Sequence, residues 1–289
     1  DGIFKNIWIQ PAAGDAGGAL GAALLIWYDF LGKDRKINYK SDSMQGSYLG
    51  PSYNQDEIER ELTKLNSIYK TYSDDKMLDI TVDYLIEGKA IGWFQGKMEF
   101  GPRALGSRSI LGDPRSSKMQ KNLNLKVKFR ESFRPFAPAI LEEFVNDWFE
   151  LDIPSPYMLL VDSVKKEKCL KMSDDEKKLF GIDKLNIKRS EIPAVTHVDY
   201  SARIQTVNNE FNKIFYKLIS KFYEKTNCPI LINTSFNIRG EPIVNSIEDA
   251  YNCFLGTDLD LLIIGNSVLK KEDHKKLKNE NYKNKYELD

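Results

Sequence analysis

Apolar positions along the chain form two kinds of pattern, short continuous runs and runs with helical spacing. A short apolar run between turn signals is typical of a buried strand, whereas apolar residues that recur every three or four positions indicate a helix. The sequence therefore predicts strands over residues 7–10, 89–94, 135–141, 157–164, 194–207 (a strand pair or a bulged strand), 229–232 and 259–264. It predicts helices over residues 16–31, 56–69, 74–87, 116–126, 142–149, 209–225 and 247–255. Strands and helices that alternate in this way predict an α/β or α+β fold.

Three stretches lack such patterns. Residues 32–56 are polar, contain Gly, Ser, Asp and Pro, and predict a connecting loop. Residues 165–190 are rich in lysine and acidic residues, which indicates a surface insertion. From residue 270 onward the chain is strongly charged, and we expect this tail to fray.

Composition places the chain among ordinary globular proteins. Its 289 residues are 42% hydrophobic and 29% charged, and 42 basic residues balance 42 acidic ones. This balance argues against bulk binding of nucleic acid or membranes. No transmembrane span or signal peptide is visible, and three scattered cysteines indicate free thiols in a reducing cytoplasm. The chain starts without methionine and directly with a strand-like stretch, so we expect it to be the second part of a longer protein.

The region around residues 90–134 combines a strand signal with excess positive charge. The apolar run 90–94 leads into Gln-Gly-Lys-Met-Glu-Phe-Gly-Pro-Arg-Ala-Leu-Gly at 95–106. Glycine allows a backbone to approach a ligand closely, and arginine suits bidentate phosphate contacts. Over residues 97–134, ten Lys or Arg stand against three Asp or Glu, a net charge of +7. Such an excess in a neutral chain indicates a site for a highly charged anion, such as a nucleoside triphosphate.

Two further stretches have the composition of ligand-binding turns. Residues 14–21, Gly-Asp-Ala-Gly-Gly-Ala-Leu-Gly, either present a helix N-terminus to an anion or allow close helix packing. Residues 233–242, which contain two Asn, a Ser, a Thr and an Arg, follow a buried strand, and they form either a ligand site or an ordinary turn. For Asp15, helix capping is the alternative to a ligand role. The residues alone leave these alternatives open.

Metal and nucleophile signatures are scarce. The chain has two histidines, His197 and His274, and no His-x-x-x-His, Glu-x-x-His or Cys-x-x-Cys pattern. No complete metal site can be built from this sequence, and neither a Ser/His/Asp nor a Cys/His arrangement is indicated.

Taken together, the motifs resemble those of the O-carbamoyltransferases of the NodU/CmcH/TobZ type. The matching segments are residues 10–23, 48–51, 96–111, 127–131, 133–138, 201–207, 233–237, 241–244 and 248–250. They occur in the family's order and cover most of residues 6–270, so the resemblance is highly specific.

The resemblance implies two domains. Residues 1–50 would be the last strand–helix portion of a TsaD-like (ASKHA) acceptor domain with a linker. Residues 51–270 would form a YrdC-like domain, an open twisted sheet with flanking helices, followed by the charged tail 271–289. Family members form carbamoyl adenylate from carbamoyl phosphate and ATP (with Mg²⁺) in the YrdC-like domain. They then transfer the carbamoyl group to a substrate hydroxyl in the TsaD-like domain, which holds a metal ion, usually Fe²⁺.

Carried onto this sequence, the resemblance assigns catalytic roles to Arg103, Arg134 and Arg203. Converging guanidinium groups would stabilise the charge that develops when a carbamate approaches the α-phosphate. Nucleotide contacts would come from Asn233, and from Ser235 and Asn237 of a Ser-x-Asn pattern. Further candidates, for which a structural role is the alternative, are Lys97, Arg108, Arg115 and Arg130. In the TsaD-like portion, the resemblance makes Asp15 a metal ligand and places Gly14, Gly17 and Gly18 in the nucleotide-facing turn.

The sequence departs from the family at one point. The family's two metal-binding histidines lie in an N-terminal region that this chain lacks, so we expect the chain to form the adenylate without transferring the carbamoyl group. The alternatives are a threonylcarbamoyl-AMP synthase for tRNA modification and a non-catalytic RNA-binding module of the YrdC type. The Gly-Asp-Ala-Gly and Glu-Phe-Gly-Pro-Arg-Ala-Leu-Gly segments argue against the first, and the neutral net charge argues against the second. A hydrogenase-maturation carbamoyltransferase is also disfavoured, because its Cys-x-x-Cys pairs are absent. The acceptor and the oligomeric state stay open.

Overall fold

A nine-stranded sheet forms the centre of the computed structural model, which describes residues 3, 8–36, 43–185, 187–277 and 281–287. The strands are β1 (Lys70–Thr71), β2 (Ile91–Phe94), β3 (Arg108–Gly112), β4 (Ala137–Leu141), β5 (Leu160–Ser163), β6 (Ser201–Val207), β7 (Ile230–Ser235), β8 (Leu261–Ile264) and β9 (Ser267–Lys270). Their order across the sheet is β1-β9-β8-β2-β3-β7-β4-β6-β5. The pairs β2–β8 and β4–β6 are parallel and the other pairs antiparallel, so the sheet is mixed and open.

Helices flank this sheet and connect its strands. They are α1 (Asp15–Leu25), α2 (Gln55–Lys64), α3 (Asp74–Ile86), α4 (Met119–Lys126), α5 (Val145–Trp148), α6 (Asp174–Lys178), α7 (Gly181–Leu185), α8 (Lys213–Thr226) and α9 (Ile247–Gly256). A capping box between Asn54 and Glu57 starts α2, because each side chain satisfies a free backbone N–H of the other residue. Helices α3 and α8 lie side by side and are joined by the Lys221–Asp79 ion pair at 2.8 Å.

The central strands are buried on both faces, which explains why they are continuous apolar runs rather than alternating ones. Every residue of β2, β3, β4 and β8 is buried. Strand β3 begins with Arg108 and Ser109, so its apolar signal is short, and the sequence did not predict it. The short strands β1, at the edge of the sheet, and β9, next to it, were also not predicted. The α/β (α+β) class with flanking helices is confirmed.

The N-terminal part of the chain differs from the prediction in two respects. The predicted strand 7–10 begins at a residue outside the described part, and residues 8–10 form no strand. The predicted helix 16–31 consists of α1 followed by a π-helical turn, Ile26–Phe30. Helix α1 has no buried residue, and the large side chains of Trp27 and Phe30 are exposed.

Two predicted loose segments pack against the rest of the structure. Within the predicted loop 32–56, Met44, Gly46 and Ser47 are buried, and the backbone of residues 47–51 hydrogen-bonds to that of residues 98–100. In the tail, the side chains of His274 and Tyr282 are only 1% and 2% exposed, so the described parts of the tail do not fray. The predicted domain limits at residues 50 and 270 stay predictions. Within the described ranges, no helix combines the length and apolarity that a membrane span requires.

Candidate functional site

A buried glutamate organises the arginine-bearing loop between β2 and β3. One carboxylate oxygen of Glu99 accepts hydrogen bonds from the backbone N–H groups of Leu105 at 2.7 Å, Ser107 at 2.7 Å and Arg108 at 3.2 Å. Burial raises the pKa of Glu99, while these amide hydrogen bonds act in the opposite direction. The loop 99–108 therefore folds around its own acidic side chain.

The tip of this loop is held by side chains from other parts of the chain. Asn233 on β7 donates to the carbonyl of Ala104 at 3.1 Å, and Gln205 on β6 donates to the carbonyl of Leu105 at 2.8 Å. The hydroxyl of Tyr48 donates to the same Leu105 oxygen at 2.8 Å. These contacts hold the backbone directly after Arg103 and so restrict where its guanidinium can lie.

Four arginines meet at a cavity of about 280 Å³ beside this loop, which we call the arginine cavity. Its lining combines these arginines with residues of β4 and β7: Pro102, Arg103, Ala104, Arg130, Arg134, Pro135, Phe136, Ala137, Met158, Arg203, Asn233, Thr234 and Ser235. Arg134 also pairs with Glu131 at 3.0 Å and is about half exposed. No acidic side chain lines the cavity among the described residues, so its electrostatic potential favours an anion.

Several polar atoms at this cavity are buried without a partner. Within the described part of the chain, Nε of Arg103, Nε of Arg203 and Oδ1 of Asn233 have no hydrogen-bond partner. Burial, together with the charge of Arg103, lowers the pKa of Arg203 to about 10. Unsatisfied buried groups are rare in folded proteins, and a bound ion or ligand can supply the missing partner.

A second, larger cavity of about 620 Å³, the lysine cavity, adjoins the first and shares Arg130, Arg134 and Ser235 with it. Its lining residues come from the segment after α4, from the turn after β7 and from the C-terminal segment: Lys128, Arg130, Arg134, Ser235, Asn237, Ile238, Arg239, Gly240, Glu241, Pro242 and Glu287. Together the two cavities form one extended basic cleft along the end of β7.

Lys128 is the functional candidate that the sequence prediction missed. Its ammonium group donates to Oδ1 of Asn237 at 2.7 Å and also contacts the carbonyl and hydroxyl of Ser235. Burial, together with the charge of Arg130, lowers the pKa of Lys128 to about 7. The lysine lies two positions before Arg130 within the matched segment 127–131, and that place in the segment was the signal that could have identified it.

Most of the predicted site residues meet in this cleft. Arg103, Arg130, Arg134, Arg203, Asn233 and Ser235 line the arginine cavity, and Asn237 lines the lysine cavity. From the sequence, residues 233–242 can be interpreted either as a turn or as a ligand site. These two interpretations are compatible, because the turn itself lines the lysine cavity. Gln205 was not predicted, although it lies in the matched segment 201–207.

Arg108, Arg115 and Lys97 lie outside both cavities. The guanidinium of Arg108 stacks on the ring of Phe94 at 3.5 Å and donates to the carbonyls of Gln95 and Pro51, so the structural alternative applies to it. Arg115 forms a bidentate pair with Asp113. Lys97 is exposed in the loop. The excess of +7 is thus divided between cations that line the cavities and cations that lie outside them.

The turn at the start of α1 lies outside both cavities, and its predicted ligand role stays a prediction. Asp15 is exposed in the first turn of α1, where the helix dipole stabilises an acidic side chain. A Cβ at Gly17 would lie 2.1 Å from the carbonyl oxygen of Ala12, so close packing explains that glycine. Gly14 and Gly18 face open space.

Residues that could hold a metal are not gathered in the described ranges, which contain no cluster of three or more His, Cys, Asp or Glu with suitable geometry. Asp15 alone supplies one carboxylate, whereas a metal site needs several ligands. The described chain therefore does not fit a metal centre, and we derive no chemistry from one.

Comparisons with known proteins agree with the geometry. A nodulation protein, NolNO of Sinorhizobium fredii, is 41% identical over 93% of this chain and 37% of its own length. The 3′-hydroxymethylcephem-O-carbamoyltransferase of Streptomyces clavuligerus is 30% identical over 92% of this chain and 44% of its own length. An uncharacterized protein of Synechocystis sp. is 53% identical over the whole chain and 47% of its own length. The chain thus spans less than half the length of these relatives.

Among solved structures, full-length HypF in a phosphate- and nucleotide-bound form is similar over 70% of this chain, with a TM-score of 0.41 and 17% identity. The family model described as carbamoyltransferase C-terminus matches residues 82–271, about two thirds of the chain, and these residues include both cavities' arginines. The chain belongs to the carbamoyltransferase C-terminal family.

Proposed function

We propose that this chain is the adenylating part of an O-carbamoyltransferase, which forms carbamoyl adenylate from carbamoyl phosphate and Mg·ATP. Water would release carbamate and phosphate from carbamoyl phosphate. A carbamate oxygen then bonds to the α-phosphorus of ATP, the bond between that phosphorus and the bridging oxygen breaks, and pyrophosphate leaves with the electron pair. Carbamoyl adenylate is the activated donor for a hydroxyl acceptor.

The main support for this proposal is the set of positive charges in the arginine cavity. The reaction joins an anionic carbamate to an anionic phosphate, so cations must offset their repulsion and stabilise the charge of the transition state. Arg103 and Arg203 meet there with buried, unpartnered Nε atoms, although their like charges repel each other without a ligand. Burying two like charges with unsatisfied Nε groups costs free energy. An anion between the two guanidinium groups would offset that cost.

The two connected cavities also match the shape of the proposed substrates. A nucleoside triphosphate is elongated, and the cleft continues from the arginine cavity of about 280 Å³ into the lysine cavity of about 620 Å³. Arg130 and Arg134 line both, so a polyphosphate chain could contact them from either side. A cavity of about 280 Å³ suits a small anion. Family membership supports a carbamoyl group over threonylcarbamoyl.

The acceptor is proposed only by class. Relatives include nodulation proteins and a cephem O-carbamoyltransferase, which supports a hydroxyl on a sugar-like or antibiotic molecule as the acceptor. The described residues form no metal site, and the relatives are more than twice as long as the matched region, so we assign the transfer step to parts of such proteins beyond this chain.

Exchange of labelled pyrophosphate into ATP tests the adenylation step. We expect the chain to catalyse this exchange only when carbamoyl phosphate is present, and we expect Arg203→Ala to lower the rate at least about 100-fold, because a charge-stabilising group is lost. Arg60→Ala is the matched control, since Arg60 lies on α2 and pairs only loosely with Glu61 at 3.7 Å. A folded chain without exchange would refute the proposal, and equal rates in the two variants would refute the role of Arg203 in it.

A further inference from the structure

The C-terminal segment, residues 281–287, lies against the wall of the lysine cavity. A Cβ on Gly240 would lie 2.2 Å from the carbonyl oxygen of Glu287, so the two backbones are in direct contact. Glu287 itself lines the cavity. The family match ends at residue 271, so this contact is made by a part of the chain that the family model does not include.

Tyr282 fixes this segment to the core. Its side chain is only 2% exposed, and its ring covers the backbone of Gly256 at the end of α9, where an added Cβ would lie 2.2 Å from the ring. A larger residue at position 256 would displace the ring. The segment is therefore held at one end by core packing and touches the cavity wall at the other.

Two tyrosines of the segment converge on Glu241. The hydroxyl of Tyr282 donates to Oε1 of Glu241, and the hydroxyl of Tyr286 contacts the same oxygen at 3.3 Å. The other carboxylate oxygen accepts the backbone N–H of Ile238 at 2.8 Å. Glu241 is 6% exposed, so these donors satisfy a buried carboxylate. They also fix the turn between residues 237 and 241.

This turn is connected directly to the ligand-facing groups. The side-chain amide of Asn237 donates to the backbone carbonyl of Glu241 at 2.6 Å, and Oδ1 of Asn237 accepts from Lys128 at 2.7 Å. The hydroxyl of Ser235 donates to that same Oδ1, also at 2.7 Å. A continuous set of hydrogen bonds thus runs from the two tyrosines to the lysine.

We propose that residues 281–287 are a positioning element of the site, which acts by holding Glu241 and, through it, the turn that presents Ser235 and Asn237 to a phosphate-bearing ligand. The inference rests on the proposed function only in taking a polyphosphate as that ligand. Without the tyrosine contacts, the 237–241 turn would sample other conformations, and the cavity would bind anions more weakly.

The test compares the full chain with a Tyr282→Phe/Tyr286→Phe variant, which keeps both rings and removes both hydroxyls. A chain ending at Lys285 is a second variant, since it loses Tyr286 and Glu287 but keeps Tyr282 in the core. Tyr216→Phe is the matched control, because it removes a tyrosine–glutamate hydrogen bond of 2.6 Å to Glu143, away from both cavities. The readouts are hydrogen exchange of the Ile238 amide and calorimetric affinity for pyrophosphate, at a temperature where all chains are folded.

We expect the Ile238 amide to exchange about tenfold faster in both variants, since each loses hydrogen bonds or contacts on Glu241. Pyrophosphate should bind about tenfold more weakly, and in the exchange assay KM for ATP should rise while kcat stays within about threefold. The control should match the wild type. Unchanged Ile238 exchange and affinity in both variants would overturn the inference. If the wild type does not bind pyrophosphate, the proposed function fails, and Ile238 exchange alone then decides whether the segment holds the turn.

Discussion

The side chains of Asn233 and Gln205 meet across a strand that lies between them. Asn233 is on β7 and Gln205 on β6, and β4 separates the two strands, yet the amide nitrogen of Asn233 lies 2.7 Å from the oxygen of Gln205. The β4 residues paired with them are Ala137 and Ala139, whose small side chains leave room for this contact. The two amides also hold the carbonyls of Ala104 and Leu105, the two residues that follow Arg103.

Replacing Gln205 by leucine should loosen this support. The variant keeps the volume but removes the bond to Asn233 and the donor to Leu105, so we expect a loss of about 1–3 kcal/mol in the free energy of unfolding. Pyrophosphate affinity should fall as well, because the loop that carries Arg103 loses the hydrogen bond from Gln205 to the Leu105 carbonyl. Urea denaturation and calorimetry measure the two effects. A lower free energy of unfolding together with wild-type pyrophosphate affinity would show that the amide pair does not position Arg103.

Arg203→Met should leave the empty protein as stable as the wild type or stabilise it by up to about 1 kcal/mol, because it removes a partly buried charge that faces Arg103. Saturating pyrophosphate should stabilise the wild type more than the variant, since only a ligand that binds the folded state shifts unfolding. Urea denaturation with and without pyrophosphate tests this. A large destabilisation of the empty variant would mean that Arg203 holds the fold rather than a ligand.

Lys128 should make stability depend on pH. Its pKa in the folded chain is lowered from 10.5 to about 7, so between these values the unfolded chain binds more protons at this position. The free energy of unfolding therefore rises with pH across this window, and the destabilising effect of the buried charge is fully present below about pH 7. Lys128→Met should have a flatter profile than the wild type from pH 7 to 10.

Lys64→Met on the exposed end of α2 serves as the control for this profile and should follow the wild-type slope. Urea denaturation at several pH values gives the comparison. Parallel profiles for wild type and Lys128→Met would show that Lys128 keeps its proton in the folded chain.

Arg108→Lys should affect folding more than ligand binding. Lysine cannot reproduce the planar stacking on Phe94 or the several hydrogen bonds to backbone carbonyls, so we expect a loss of about 2–4 kcal/mol in the free energy of unfolding. At a temperature where both proteins are folded, pyrophosphate affinity should stay within about threefold of wild type. A loss of pyrophosphate affinity without a loss in the free energy of unfolding would indicate that Arg108 contacts the ligand.

The sequence predicted those parts of the fold whose signal is local. Strand β2 and helix α8 follow from a continuous apolar run and a strong helical period, and the structure has both. Strand β3 was missed because it begins with an arginine, and that buried arginine is held by the ring of Phe94 and by the carbonyls of Gln95 and Pro51. Such long-range compensation has no local signal.

The same distinction applies to the site. The resemblance named Arg103, Arg134, Arg203 and Asn233, and the structure brings them to one cavity. It could not separate cations that line the cavities from those that hold the fold elsewhere, because the chemistry of an arginine is the same in both places and only its partners differ. The roles of Gln205 and the C-terminal tyrosines depend on contacts between segments far apart in the sequence, whereas Glu99 acts within its own loop.

Analysis of the products most directly tests the central claim that this chain adenylates carbamate. The chain would be incubated with Mg·ATP and carbamoyl phosphate, and the quenched mixture separated and identified by mass spectrometry and ³¹P NMR. The account predicts carbamoyl adenylate, or AMP from its hydrolysis, with an equal amount of pyrophosphate, and neither product when carbamoyl phosphate is omitted. ADP as the nucleotide product, or AMP that forms equally well without carbamoyl phosphate, would contradict it.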